Sequence, residues 1–301
     1  MAIKAGPVLG FRGQWQDEWR VSVLLVTGLQ TDAPTLVFLP AGGSAVSVTA
    51  TLLKTMPEAN PNSRAWRWDF PVQQADVEQL VRYEVLGIQA EFWVPAKGSL
   101  PNSAYASCNG FSSAKVKNSC KVPQRLWADL AAKHAERHYH LLMMGGDQVY
   151  ADSIWDVIPE LREWAGLPVA QAIKRSFTAA MMRKVDQFYN ALYIENWSQK
   201  EPAAVLARIP VLMMWDDHDI FDGWGSYSPE LQQCEVHQGI FKTARDYFAL
   251  YQLQLKAGEA HPLGIPSSTS FAYGCTIEPA GDHAMAILAL DMRHDRNSSQ
   301  V

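Results

Sequence analysis

Three segments of the 301-residue chain carry side chains that bind metals or move protons, each directly after a strand-like apolar run. The segments are residues 105–110, 144–152 and 215–219, and their chemistry-bearing residues are Cys108, Asn109, Asp147, Tyr150, Asp152, Asp216, Asp217, His218 and Asp219. Thiolate, carboxylate, phenolate and imidazole groups are metal ligands. Because neighbouring carboxylates repel one another unless a cation or a solvated turn relieves them, the spacing predicts a metal site built from three strand ends.

Each segment also has a purely structural interpretation. A glycine followed by Asp147 suits a turn, and Cys108 at a strand end suits a small buried apolar residue. The run from Asp216 to Asp219 suits a solvated loop, although the apolar strand ending in Trp215 argues against free solvation. The occurrence of all three segments in order favours the functional interpretation.

The elements that must position these residues alternate between strand and helix. Strands are predicted at residues 105–107, 139–144 and 209–215, and helices at 123–137, within 154–197 and at 240–255. A hairpin is predicted from 270–277 and 284–292, around a turn at 279–282. This alternation indicates an α/β fold, in which ligands bind at the carboxyl ends of the strands.

Residues 1–97 have a different pattern, with short strands predicted at 19–26, 35–39, 65–70, 81–85 and 88–94. This spacing predicts an antiparallel β-sandwich of immunoglobulin or fibronectin type. Proline and glycine punctuate residues 95–103, which predicts a linker. We therefore expect two domains, 1–97 and 98–301.

Composition limits the classes of function. Hydrophobic residues make up 48% and charged residues 19%, and the net charge is −5, so neither a nucleic-acid backbone nor an anionic membrane is favoured as the main partner. No apolar run of about 18 residues predicts a membrane span. The N-terminus lacks the apolar region of a secretory signal, and the four cysteines do not form a disulfide framework. We expect a cytoplasmic protein.

Taken together and in order, residues 106–111, 146–152, 215–219 and 290–293 resemble the alkaline phosphatase D-type (PhoD-like) metallophosphoesterases, of the calcineurin-like and purple acid phosphatase superfamily. The resemblance implies a four-layer α/β/β/α domain after the β-sandwich. It implies an enzyme that hydrolyses phosphate mono- or diesters, a small phosphoester substrate, and attack on phosphorus by a hydroxide that bridges two metals.

The resemblance also implies roles for individual residues. Cys108, Asp147, Tyr150 and Asp217 would be metal ligands, with Asp147 bridging two metals. Tyr150 would replace a histidine ligand that most relatives carry where this chain has Gly110. His218 would act with Asp147 in catalysis, and His218 and Asn109 would contact the substrate. The cofactor would be a binuclear or multinuclear centre of iron with calcium, with manganese or zinc as alternatives.

Late histidine ligands are the part of the pattern that is not found. The superfamily normally adds them after the strand that contains Leu290, but His237, His261, His283 and His294 follow His218 in no such motif. We therefore expect a metallophosphoesterase domain that is incomplete, or truncated, at its C-terminus. The alternative is a non-catalytic relative that keeps the fold but lacks the full set of metal ligands.

Overall fold

The computed structural model describes residues 3–111, 114–265, 270–278, 284–296 and 298. The strands in this part of the chain are Ile3–Trp15 (β1), Glu18–Thr27 (β2), Thr35–Leu39 (β3), Val46–Thr49 (β4), Thr51–Met56 (β5), Ser63–Gln73 (β6), Gln79–Val85 (β7), Ile88–Val94 (β8), Ser103–Ala106 (β9), Leu141–Met144 (β10), Val211–Met213 (β11), Tyr273–Ile277 (β12) and Met285–Ala289 (β13). The helices are Ala114–Ser119 (α1), Arg125–Glu136 (α2), Ile154–Val157 (α3), Pro159–Ala165 (α4), Val169–Ala172 (α5), Ala179–Trp197 (α6), Lys200–Leu206 (α7), Pro229–Gln232 (α8) and Glu235–Tyr251 (α9).

A mixed sheet in the order β5-β6-β2-β1-β11-β10-β9 positions the predicted site. The pairs β9–β10, β10–β11 and β1–β11 are parallel, whereas β1, β2, β6 and β5 pair antiparallel with one another. Because β9, β10 and β11 run in the same direction, their carboxyl ends meet at one edge, as the α/β prediction requires. The α/β fold class is therefore confirmed.

A second sheet, in the order β4-β3-β7-β8, packs on the N-terminal part of the first. Phe38 of β3 stacks on Phe70 of β6 with ring centroids 4.4 Å apart, and Phe92 of β8 lies 6.4 Å from Phe70. All three rings are buried. Alternating apolar residues on facing sheets therefore form a sandwich core in this region.

Hydrogen bonding crosses the predicted boundary between residues 97 and 98. β1 lies between β2 on one side and β11 on the other, with Gly10 opposite Val211. The division into domains 1–97 and 98–301 stays a prediction, and the two regions share one continuous sheet.

Helices and a hairpin complete the layers around β1. The long helices α6 and α9 pack together through Tyr193 and Tyr251, whose rings stack 4.7 Å apart at 5°. The predicted hairpin of β12 and β13 is present, and the Tyr273 hydroxyl of β12 donates to the Met213 carbonyl of β11 at 2.8 Å. Its predicted turn at 279–282 lies outside the described residues. No described helix is long and apolar enough to cross a membrane.

Candidate functional site

The loops after β9 and β10 are joined by backbone hydrogen bonds. The amide of Cys108 donates to the Gly146 carbonyl at 3.0 Å, and the amide of Asn109 donates to the Asp147 carbonyl at 2.7 Å. The first two predicted segments are therefore in direct contact at the carboxyl edge of the sheet.

These loops have strained backbones. Cys108 and Asp147 have φ angles of 61° and 54°, in the left-handed region that residues with a side chain rarely adopt. Gly146 has a φ of 119°, and a Cβ there would lie 2.6 Å from the Cβ of Asp216. Such strain persists where the surroundings enforce it, and it clusters at functional sites.

Three carboxylates converge at this edge. Asp147, Asp216 and Asp217 each offer an oxygen within 4.8 Å of the others. Asp147 is buried, and its Oδ1 has no hydrogen-bond partner among the described atoms. Burial has the largest effect and raises the pKa of Asp147; the hydrogen bond with Cys108 lowers it and the charge of Asp216 raises it, so the pKa is raised overall. A buried carboxylate oxygen without a hydrogen-bond partner costs folding free energy, and a bound cation would offset this cost. Asp147 is therefore suited to be a metal ligand.

The thiol of Cys108 lies on the other oxygen of Asp147, with Sγ 3.3 Å from Oδ2. Desolvation, and next the hydrogen bond with Asp147, raise the pKa of Cys108. Without a cation the group is therefore a thiol that donates to the carboxylate. Cysteine binds metals as the thiolate, so metal binding here would release this proton.

The guanidinium of Arg293 also contacts the acidic cluster. Arg293 donates through Nε to Asp216, and through Nη2 to Asp217 Oδ1 at 3.0 Å. Its own backbone amide donates to Asp291 Oδ1 at 3.1 Å. Segment 290–293, which is part of the family resemblance, therefore contributes Arg293 to the site. No role was predicted for Arg293 from the sequence.

Asp219 stabilises the loops of the second and third segments through hydrogen bonds to their backbone amides. Its Oδ1 accepts from the amides of Gln148 at 3.0 Å and Val149 at 3.1 Å, and its Oδ2 accepts from the Asp216 amide at 2.9 Å. The side chain is fully buried, and burial raises its pKa to about 7. Asp219 therefore connects the second and third segments and does not face the cluster.

His218 is held by a carboxylate from the second segment. Its Nδ1 lies 2.7 Å from Asp152 Oδ2, while Asp152 Oδ1 accepts from the Asp222 amide at 2.7 Å. Burial lowers the pKa of His218, but the hydrogen bond and charge of Asp152 outweigh it, so the pKa is raised overall. The imidazole remains partly exposed, with Nε2 3.9 Å from Asp222 Oδ1. This arrangement can present a proton donor to a bound anion.

Tyr150 covers the same histidine. Its ring stacks on His218 with centroids 4.3 Å apart at 23°. A Cβ at Gly110 would clash with the Tyr150 ring, which explains why glycine occupies that position. Burial, and next the charge of Asp147, raise the pKa of Tyr150, so the group is a phenol unless a cation deprotonates it.

The predicted metal-ligand residues therefore lie in two adjoining groups. Asp147, Asp217 and Cys108 meet at the acidic cluster, and Tyr150, which lies beside His218, also hydrogen-bonds with Cys108. The acidic cluster fits a metal site, since it combines hard oxygen ligands with the unpartnered Asp147 Oδ1. The individual ligand roles stay predictions.

Both ends of the Asn109 side chain are occupied by the protein. Its Oδ1 accepts from Trp127 Nε1 at 2.7 Å, and its Nδ2 donates to the Gln148 carbonyl at 3.2 Å. These bonds hold the loop to α2 and to the second segment. The predicted contact of Asn109 with substrate stays a prediction.

Asp216 belongs to the predicted segment 215–219, but the resemblance assigned it no ligand role. It joins Asp147 and Asp217, and a second group combines Asp217, His218 and Asp222. Of the late histidines, His237, His261 and His294 join neither group among the described residues, and His283 lies outside those residues.

Comparisons with known proteins identify the family to which this arrangement is similar. A family model described as PhoD related phosphatase matches residues 84–301. The chain is 32% identical over 215 residues to the uncharacterized protein YGR266W of Saccharomyces cerevisiae, covering 64% of this chain and 30% of that protein.

Two solved structures are also similar. The structure of PhoD matches with a TM-score of 0.54 at 14% identity, covering 96% of this chain and 52% of that one. Purple acid phosphatase PPD1 of yellow lupin (Lupinus luteus) matches with a TM-score of 0.48 at 14% identity, covering 98% of this chain and 46% of that one. The likeness to PhoD shows a metallophosphoesterase fold, and this chain spans about half of PhoD and less than a third of the yeast protein.

Proposed function

The chain belongs to the PhoD-related phosphatase family. We propose that it hydrolyses phosphate mono- or diesters in a metal-dependent reaction. The observation that carries the proposal is the convergence of Asp147, Asp216 and Asp217 around an unpartnered buried carboxylate oxygen. Phosphoryl transfer needs positive charge at such a position, because negative charge is spread over the phosphoryl oxygens in the transition state.

The acidic cluster would hold the metal ions, with Cys108 beside Asp147 as the softer ligand. Bound cations supply a nucleophile by lowering the pKa of water toward neutrality, and they offset the charge of the phosphate. We propose iron with calcium as the natural metals, because a thiolate next to carboxylates suits a mixed pair; manganese and zinc are the alternatives.

His218 would act on the oxygens of the bound phosphoester. Asp152 fixes the orientation of the ring from Nδ1, and Tyr150 limits its tilt by stacking. Nε2 then faces the partly exposed side, where it can donate a hydrogen bond or a proton to phosphoryl or leaving-group oxygen. Arg293 adds a fixed positive charge next to Asp216 and Asp217.

The test is hydrolysis of two chromogenic substrates, p-nitrophenyl phosphate and bis(p-nitrophenyl) phosphate. The purified chain is supplied in turn with iron, calcium, manganese and zinc, and the Asp147→Asn variant is compared with it. Asp129→Asn is the matched control. Asp129 is exposed on α2, so this substitution removes one negative charge at a position outside the cluster. We expect activity in the wild type and the control and none above background in Asp147→Asn. Absence of hydrolysis by the wild type with every metal refutes the proposal for this chain.

A second candidate is a non-catalytic relative that uses the site for binding alone. The observation that favours it is Arg293, which gives Asp216 and Asp217 a counter-ion from the protein itself. This candidate predicts phosphate-analogue binding without turnover. Isothermal titration with vanadate or tungstate, run beside the hydrolysis assay, distinguishes the two.

A further inference from the structure

A strongly basic segment lies next to the acidic site. Residues 115–126 contain Lys115, Lys117, Lys121 and Arg125 and no aspartate or glutamate, in a chain whose net charge is −5. All four side chains belong to exposed residues, and none forms an ion pair with a described residue. The charge of this segment therefore has the opposite sign to the net charge of the whole chain.

Apolar side chains alternate with these cations and face water. Val116 is 47% exposed, Val122 57% and Leu126 82%. Isolated exposed apolar residues are ordinary, but these three lie within eleven residues of one basic segment, which is therefore both cationic and apolar. Lysines together with exposed aliphatic side chains are typical of segments that lie in the interface of an anionic membrane.

Hydrogen bonds attach this segment to the site at its C-terminal end. Trp127, the residue that follows it, donates through Nε1 to Asn109 Oδ1 at 2.7 Å. The Asn109 amide in turn donates to the Asp147 carbonyl at 2.7 Å. The C-terminal end of the segment is therefore attached to the Asp147 loop through Trp127 and Asn109.

We propose that residues 115–126 dock the protein on a lipid surface rich in anionic headgroups, with the acidic cluster next to the headgroup layer. Charge complementarity identifies the sign of the partner, since the segment has four cations and no acidic residue. The exposed Val122 and Leu126 favour a lipid surface as the source of that negative charge. A membrane has an apolar layer into which these side chains can insert, whereas a soluble polyanion has none. The docking goes beyond the proposed hydrolysis and does not depend on it.

Vesicle co-sedimentation without any substrate tests the docking. The vesicles contain phosphatidylcholine alone, or phosphatidylcholine with roughly 30% phosphatidylserine, at about 0.1 M salt. The test variants are Lys115→Gln/Lys117→Gln/Lys121→Gln and Leu126→Ser. The control, Lys174→Gln/Arg175→Gln/Arg183→Gln, removes the same charge from other exposed positions.

We expect binding of the wild type to the anionic vesicles alone. The triple variant at 115, 117 and 121 should bind about 100-fold more weakly, since each lysine near an anionic surface contributes a factor of about five. Leu126→Ser should also weaken binding, and the control should bind within about twofold of the wild type. All substituted side chains are exposed, and thermal unfolding verifies that each variant is folded.

Three results would overturn the docking proposal. The first is that the wild type does not bind anionic vesicles. The second is that the triple variant and the control lose vesicle affinity equally. The third is that the wild type binds inositol hexakisphosphate but does not bind vesicles. The last result would assign the basic segment to a soluble polyanion. Because no hydrolysis is measured, failure here leaves the proposed function intact, and loss of hydrolysis leaves the docking intact.

Discussion

His237 of α9 should make the stability of this protein strongly dependent on pH. The side chain is buried among the rings of Trp164, Phe221 and Tyr227, with centroids 5.1, 4.9 and 4.9 Å away. Its Nδ1 has no partner among the described atoms. Burial lowers the pKa of His237 from 6.5 to about 4. The folded protein therefore keeps the ring neutral at a pH where the unfolded chain binds a proton.

The sign and size of the effect follow from this difference in pKa. Between pH 6.5 and about 4 the unfolded chain binds more protons than the native state, so the free energy of unfolding falls as pH falls. At pH 5 the loss relative to pH 8 is about 2 kcal/mol from His237 alone. His134 and His261, whose pKa values burial lowers to about 4 and about 3, add to the loss in the same direction.

Urea unfolding of wild type and His237→Phe at pH 5 and pH 8 isolates this contribution. We expect the difference between the two pH values to be smaller in the variant by about 2 kcal/mol. Phe241→Leu is the control: Phe241 stacks on Trp224 at 4.6 Å in the same cluster but does not titrate. It should lower stability equally at both pH values. An unchanged pH dependence in His237→Phe would refute the assignment of a neutral buried imidazole.

Two further predictions concern the candidate site. Asp152→Asn removes the charge that orients His218, and we expect kcat on bis(p-nitrophenyl) phosphate to fall at least about 100-fold with little change in the unfolding temperature; a fall of less than about threefold would contradict this role. Gly110→Ala places a Cβ in the ring of Tyr150, so it should lower the free energy of unfolding by about 1–3 kcal/mol in urea titrations. Unfolding at the wild-type urea midpoint would show that the ring packs elsewhere.

Much of the fold could be predicted from local pattern. β3 has the predicted bounds Thr35–Leu39, β8 has the predicted bounds Ile88–Val94, and the strand predicted at 81–85 lies within β7. β1 was missed because Gly6, Pro7 and Gly10 interrupt its pattern, and because β1 is buried along most of its length instead of alternating. A Cβ at Gly10 would lie 2.7 Å from Ser22 Oγ, so close strand packing requires the glycine that disguises the strand.

The candidate site was predicted to the extent that neighbouring strand ends determine it. Cys108, Asp147 and Asp217 follow adjacent parallel strands and come together as expected. The resemblance gave Asp216 no ligand role, although both Asp216 and Asp217 reach the cluster, because a sequence does not reveal that two adjacent carboxylates can turn to the same side after a strand. Arg293 reaches the site from more than 70 residues away along the chain, a separation that local pattern cannot bridge.

The whole-chain charge was also a poor guide to local surfaces. A net charge of −5 argues against an anionic membrane, yet Lys115, Lys117, Lys121 and Arg125 form a basic segment beside the site. Long-range charge is screened within about 8–10 Å at physiological salt, so a local cluster decides what can approach it.

Anomalous diffraction from zinc-soaked crystals can determine whether Asp147, Asp216 and Asp217 form a metal site. We predict a peak about 2.0–2.2 Å from Oδ1 of Asp147 in the wild type and no peak at that position in Asp147→Asn crystals. Wild-type crystals that bind zinc elsewhere but leave the carboxylate oxygens of Asp147 without a peak would contradict this prediction.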